Sequence, residues 1–205
     1  MKSLKYLIPA MAVLVLAITP SLAFGQYNTG TQGCCGLEDP NWMVTLPGGT
    51  IPVHAYSVDP GDPSRFGCPG GWCPPSPGSW WINPTGTLDE SAPAGLYEYS
   101  MRFGLSSPTD IKGEFAADNS ACIYIDTALG QCTTGGDHGF DHYTPFDFGV
   151  LGAGTHSIDV YVTNEGLYTG LEVEFFATTP EPSSLLLMGT GVLALIGVVR
   201  RKLVG

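Results

Sequence analysis

Leu96-Tyr97-Glu98-Tyr99-Ser100-Met101-Arg102-Phe103-Gly104-Leu105 is the stretch that decides the fold. Tyr97, Tyr99, Met101, Phe103 and Leu105 alternate with Glu98, Ser100 and Arg102. Successive side chains on a strand point to opposite faces, so this period of two predicts a strand with one buried face. The same pattern recurs where Ile158, Val160 and Val162 alternate with Ser157, Asp159 and Tyr161. It recurs again where Leu171, Val173 and Phe175 alternate with Glu172 and Glu174, which puts Glu98, Glu172 and Glu174 on the exposed side. Further strands are expected at Ile111 to Ala116, Ala121 to Asp126 and Tyr143 to Gly149, and in the first half at Asn41 to Leu46, Ile51 to Val58 and Ser79 to Ile82. On that last strand one of Trp80 and Trp81 must enter the core and the other must not. Pro60 to Gly78 reads as loop, and nothing between Gln26 and Thr179 has helical periodicity. Short strands divided by Gly, Pro, Asn and Asp predict an all-β fold, an antiparallel β-sandwich.

Both ends of the chain read as address rather than fold. Lys2 and Lys5 precede an apolar run from Tyr6 to Ile18, then Pro20 and Ser21-Leu22-Ala23. That is the layout of a secretory signal peptide over residues 1–25, with cleavage after Ala23 or Gly25. At the other end, Pro180-Glu181-Pro182-Ser183-Ser184 leads into an uncharged stretch from Leu185 to Val199 and then Arg200-Arg201-Lys202. A helix over 184–199 rises about 1.5 Å per residue and falls short of a hydrocarbon core of roughly 30 Å, so it is a marginal span. Snorkelling of Arg200, Arg201 and Lys202 tolerates the shortfall, and their charge puts that end on the cytoplasmic side. Between a leader of 1–25 and a tail of 179–205, residues 26–178 are the size of one domain.

The three-part tail resembles the PEP-CTERM sorting signal of Gram-negative bacteria that make exopolysaccharide. The resemblance implies that an exosortase cuts near Pro180-Glu181-Pro182 and releases the ectodomain. It also implies an inner-membrane anchored precursor with a periplasmic ectodomain that later reaches the cell surface or the medium. A second resemblance covers about Gly95 to Thr178. Gly113-Glu114-Phe115-Ala116-Ala117-Asp118-Asn119 followed by Ile123-Tyr124-Ile125-Asp126 is similar to a strand, turn and strand of galactose-binding-like jelly rolls. Gly152 to Ile158 looks like a turn opening a late strand there, and Leu171 to Thr178 like the closing strand. A Gly usually follows within a residue of the position of Asp126, so the hairpin turn is expected to be longer here, with Cys132 compensating. The family includes many carbohydrate-binding modules, and by analogy a structural calcium ion would draw on Asp118 or Asp126.

Between Gln26 and Thr179, eighteen acidic side chains face only Arg65, Arg102 and Lys112, a formal net charge of −15 against −11 for the whole chain. Such a surface excludes nucleic acid and anionic membrane as partners. All six cysteines lie in the same region, and an even count in an exported domain points to disulfides. Cys122 with Cys132 would close a hairpin-sized loop, and Cys68 with Cys73 a tight turn. Cys34 and Cys35 are adjacent, so either a vicinal bridge or cross-pairing with the Cys68/Cys73 loop remains. A zinc site is the rival, weakly supported by Cys-x4-Cys without a second matched pair.

Asp137, His138, Asp141 and His142 form the only dense cluster of ligand-type side chains. Their spacing matches no zinc or calcium loop, so a solvated loop is expected and no metal. No Gly-x-Ser-x-Gly elbow is present, and oxidised cysteines cannot act as nucleophiles. Aromatic residues are the better lead. Trp42, Trp72, Trp80, Trp81, Tyr97 and Tyr124 offer flat faces that can stack on sugar rings. Tyr97 and Tyr99 sit at core spacing, whereas Trp72, in a Gly-Pro-Cys loop, competes for a binding role. The sequence therefore predicts an exported, non-catalytic domain with a structural or interaction role in exopolysaccharide or biofilm. The alternative is a carbohydrate-binding module using Trp72 and one of Trp80 and Trp81, and a secreted hydrolase comes third.

Overall fold

A computed structural model describes residues 24–59, 72–87, 92–134 and 136–176. The leader up to Ala23, the motif Pro180-Glu181-Pro182, the 184–199 segment, Arg200, Arg201, Lys202 and Cys68 lie outside the described residues. Phe24–Ala177 form one compact unit, and among the described residues no helix is long and apolar enough to cross a membrane.

Among the described residues ten strands follow in chain order: β1 (Glu38–Thr45), β2 (Val53–Ser57), β3 (Ile82–Asn83), β4 (Gly95–Leu105), β5 (Thr109–Asp118), β6 (Ser120–Ile125), β7 (Ala128–Cys132), β8 (Thr144–Leu151), β9 (Gly154–Asn164) and β10 (Gly170–Phe175). They pair throughout in antiparallel fashion in the order β7-β6-β9-β4-β1-β2-β3-β10-β5-β8. Two four-stranded halves, β4-β9-β6-β7 and β3-β10-β5-β8, are joined through the β1-β2 hairpin. From β3 onward every connection but the β6-β7 hairpin crosses from one half to the other, which is the winding of a jelly roll.

Alternation builds the core. Tyr97, Tyr99, Met101 and Phe103 of β4 are buried, as are Ile158, Val160 and Val162 of β9 and Ala121, Ile123 and Ile125 of β6. They share one cluster with Ile111, Phe115 and Ala117 of β5, Phe146 of β8, and Leu171, Val173 and Phe175 of β10. Gly113 makes room for Phe146, its partner in the ladder, since a Cβ there would lie 2.6 Å from the ring. At one end the 3-10 turn Phe24–Tyr27 plugs the sandwich, with the Phe24 ring 5.0 Å from Phe103 and 4.9 Å from Phe175.

Two expectations are corrected and one strand is added. The turn after Asp126 is short, because Ile125 pairs with Ala128 and only Asp126 and Thr127 lie between, at φ 46° and 73°. Two consecutive left-handed residues suit the twist of a two-residue hairpin, so Thr127 takes up the conformation for which a Gly would be usual. A strand unforeseen in the sequence, β7, follows that turn. The expected strand over Ser79 to Ile82 shrinks to Ile82–Asn83 because the residues before it belong to a covering segment described below.

Candidate functional site

Two features stand out on the surface of the sandwich, one on the outer face of each half. On the first, β10 and β5 present Glu172, Glu174, Glu114, Ala116 and Asp118 outward, with Glu174 opposite Glu114 and Glu172 opposite Ala116. Residues 72–81 lie across this face as a strap. Cys73 N donates to Phe140 O at 2.8 Å and Trp80 N to Thr29 O at 2.9 Å, and these bonds fasten the strap along its length. The Trp72 and Trp81 rings stack with centroids 4.3 Å apart and planes 29° from parallel. Trp72 lies directly on Gly170, where a Cβ would approach the ring to 2.5 Å. Val58 and Ala116 complete a small apolar cluster, with Phe140, Tyr143 and Tyr168 packed against it.

Glu172 is consequently buried, at 0% exposure, instead of facing water as strand alternation alone implies. The charge is not left unanswered. Ser76 N and Ser79 Oγ donate to Glu172 Oε1 at 2.9 and 2.6 Å, and the Tyr143 hydroxyl donates to Oε2 at 2.7 Å. Ser76 Oγ also bonds Glu174 Oε2. Burial pushes the Glu172 carboxyl up to about 7, against the pull of those three donors. Asp118 is pushed up to about 6 by burial, against the hydrogen bond it accepts from Trp72 Nε1 at 2.7 Å. Burial and the neighbouring Glu172 carboxylate raise the Tyr143 hydroxyl well above the ordinary tyrosine range.

The tryptophans expected to contact sugar are thus part of the strap. Trp72 and Trp81 are 2% and 0% exposed, so neither ring offers a free face, while Trp80 is half-buried. Trp42 and Tyr97 are core residues. The metal-type cluster does not converge. Asp141 Oδ1 lies 2.5 Å from His142 Nδ1, whose other nitrogen meets Thr134 Oγ1 at 2.8 Å. His138 packs on Phe140, and Asp137 belongs to a different surface. Of the carboxylates considered for calcium, Asp118 holds Trp72, and Asp126 accepts from Ser157 N and pairs with His156.

Cys122 and Cys132 face each other across the β6-β7 ladder and are bonded. Cys34 is bonded to Cys35, and Cys73 is disulfide-bonded, its expected partner Cys68 lying outside the described residues. Cys34, Cys35 and Asp59 bring ligand-type atoms within 4.8 Å of one another, but the two sulfurs are occupied by their own bond.

The second feature is an open groove of about 400 Å³ on the outer face of β4, β9 and β6. Leu96, Tyr124, Tyr161 and the Cys122–Cys132 disulfide floor it, and Asp137 stands in its wall. Tyr124 and Tyr161 meet edge to face at 5.5 Å and 85°. Glu98 lies opposite Tyr161 and Asp159 opposite Tyr124 in the ladders. Of these residues the aromatic reading of the sequence picked out Tyr124 alone. Tyr161 was legible only as the outward member of β9, a position that aromatic content does not distinguish from solvent-facing filler.

Residues 178–202 match the family model of the PEP-CTERM protein-sorting motif. No curated protein matches the chain in sequence. Among solved structures, a β-glucosidase from Kluyveromyces marxianus in complex with glucose shares 10% identity and a TM-score of 0.34, over 47% of this chain and 13% of that one. A GH26-CBM35 β-(1,4)-mannanase from Podospora anserina shares 18% identity and a TM-score of 0.31, over 69% of this chain and 29% of that one. The chain spans less than a third of either. The match at 178–202 marks the chain as an exported protein that is anchored in a membrane until an exosortase processes it.

Proposed function

We propose that this chain is a non-catalytic cargo domain, delivered to the cell surface or the extracellular matrix, where it has a structural or interaction role in exopolysaccharide. The observation that carries this reading is the sorting motif at residues 178–202. A protein built around a destination needs a robust exported body more than an active site. The jelly roll supplies it, with a disulfide at Cys122–Cys132 and a strongly acidic surface suited to solubility outside the cell. The test is to remove residues 180–205, or to delete the processing exosortase, and fractionate the cells. The reading expects the ectodomain to disappear from the surface and medium. Unchanged deposition in both cases contradicts it.

A carbohydrate-binding role is the second reading, favoured by the open groove floored with Tyr124 and Tyr161. Aromatic rings beside carboxylates form the kind of surface on which sugar rings stack and hydroxyls find acceptors.

A further inference from the structure

We infer that the groove over β4, β9 and β6 binds the interior of a neutral polysaccharide chain, stacked on Tyr124 and Tyr161. The inference rests on the carbohydrate-binding reading and moves its site away from the tryptophans of the strap.

Four observations define the ligand. The first is the floor. Tyr124 and Tyr161 are each half-buried, so both rings are anchored yet keep accessible surface. Their edge-to-face contact at 5.5 Å fixes one ring against the other and limits the entropy lost when a ligand docks. Cys122–Cys132 locks the β6-β7 side of the same floor.

The second is polarity. Glu98 and Asp159 flank the tyrosines from the neighbouring strands, Asp137 stands in the wall, and Ser120 and Thr163 add hydroxyls. Carboxylates only accept hydrogen bonds when ionised, so they suit a ligand rich in hydroxyl donors.

The third is charge. Arg102 is the one cation on this outer face of β4, four residues beyond Glu98; it lies opposite Ser157 in the ladder, and its charge acts on Asp159. With a net −15 over residues 26–179, an anionic polymer is repelled before contact. A basic peptide would be attracted at long range, but among the described residues no three carboxylates converge in this groove to hold one ammonium group.

The fourth is shape. The groove is open and not an enclosed pocket, so a polymer can enter and leave it without presenting a chain end.

The test uses the processed protein recovered from culture medium, run by affinity electrophoresis through gels containing a neutral glucan or galactomannan, anionic polygalacturonate, or cationic chitosan. Retardation is expected on a neutral polymer and not on polygalacturonate. Tyr124→Ala and Tyr161→Ala should each weaken it about tenfold, while Tyr161→Phe, which keeps the ring, should preserve most of it. Neutral oligosaccharides should compete, and the corresponding free monosaccharide should not. Thermal melts check that the variants are folded. If an alanine variant is not, Leu96→Lys at a position 54% exposed fills the groove without disturbing the core and should abolish retardation.

No retardation on any polysaccharide removes the carbohydrate reading itself. Retardation that survives both tyrosine changes and is lost in Trp80→Ala leaves that reading standing but overturns the groove. Binding to chitosan alone overturns the neutral ligand, and competition by the monosaccharide overturns binding along the chain interior.

Discussion

Trp72 Nε1 donates to Asp118 Oδ2 over 2.7 Å, joining the strap to the last residue of β5 across 46 positions of sequence. The contact makes Trp72 a structural residue, and the size of its effect on stability tests that directly. Trp72→Ala removes a buried ring stacked on Trp81 and should cost about 3–5 kcal/mol in denaturant unfolding. Trp72→Phe retains much of the apolar contact but leaves a buried carboxylate without its donor, at a cost of about 1–3 kcal/mol. A loss below about 0.5 kcal/mol for Trp72→Ala, as for an exposed surface residue, would contradict the strap.

The buried carboxylates under the strap predict a pH dependence. Glu172 is raised from 4.5 to about 7 and Asp118 from 3.8 to about 6, both by burial. In each case the folded state holds a proton more tightly than the unfolded chain. Their contribution to stability is therefore full below about pH 4 and is lost as pH rises through 6 and 7. For Glu172 the span is on the order of 3 kcal/mol. Glu172→Gln, compared with the parent in urea melts from pH 4 to 8, should flatten the profile. Identical profiles for the two proteins would show that Glu172 titrates alike in the folded and unfolded chain and is open to water.

His156 is tied at both nitrogens, with Nδ1 2.6 Å from Asp126 Oδ2 and Nε2 3.0 Å from Gly152 O. Two acceptors favour the imidazolium, and the Asp126 hydrogen bond raises its pKa above 6.5, with the Gly152 carbonyl adding to the effect. Despite a cost of burial, the bonds from His156 and Ser157 N hold Asp126 below the usual carboxylate range. The stabilising effect of His156 is complete below its unfolded pKa and is lost as pH rises through the raised folded value. That of Asp126 is present above its unfolded pKa and is lost as pH falls through the depressed one. An NMR titration should place His156 above 6.5. His156→Gln should speed amide exchange at Asp126, whose N–H bonds Ser157 O at 3.0 Å. A His156 midpoint at or below 6.5 would rule out the tie in solution.

Phe24 distinguishes the two cleavage sites expected of a leader over residues 1–25. Its ring sits between Phe103 and Phe175, so cutting after Gly25 would discard a core residue, whereas cutting after Ala23 leaves it as the first. Terminal sequencing of the exported protein should begin at Phe24, and Phe24→Ala should lower stability by about 3–5 kcal/mol. A mature chain beginning at Gln26 with unaltered stability would exclude the plug.

Much of the sandwich was legible because β4, β9 and β10 each carry unbroken alternation, and both faces of an antiparallel half-buried strand write that pattern into sequence. β7 was not, because Ala128-Leu129-Gly130-Gln131 is exposed throughout. An edge strand held by its hairpin and by Cys122–Cys132 needs no apolar face. Glu172 misled for a different reason. Its outward position on β10 was correct, but the cover comes from a Pro- and Gly-rich segment more than ninety residues earlier, whose backbone and serine donors no local pattern connects to it. The same separation hid the stacking of Trp72 on Trp81. One of Trp80 and Trp81 is buried, as alternation predicts, but Trp81 joins the small cluster with Trp72, Val58 and Ala116 and not the main core. The groove escaped because Tyr124 and Tyr161 lie 37 positions apart and meet only through the β6-β9 register.

The most direct measurement is the mass of the mature protein isolated from the medium, because the account treats the segment after Pro180-Glu181-Pro182 as a temporary membrane tether. A chain ending near that motif, without the apolar stretch from Leu185 to Val199 and without Arg200-Arg201-Lys202, is the predicted result. Recovery of external protein that still carries those residues would contradict it.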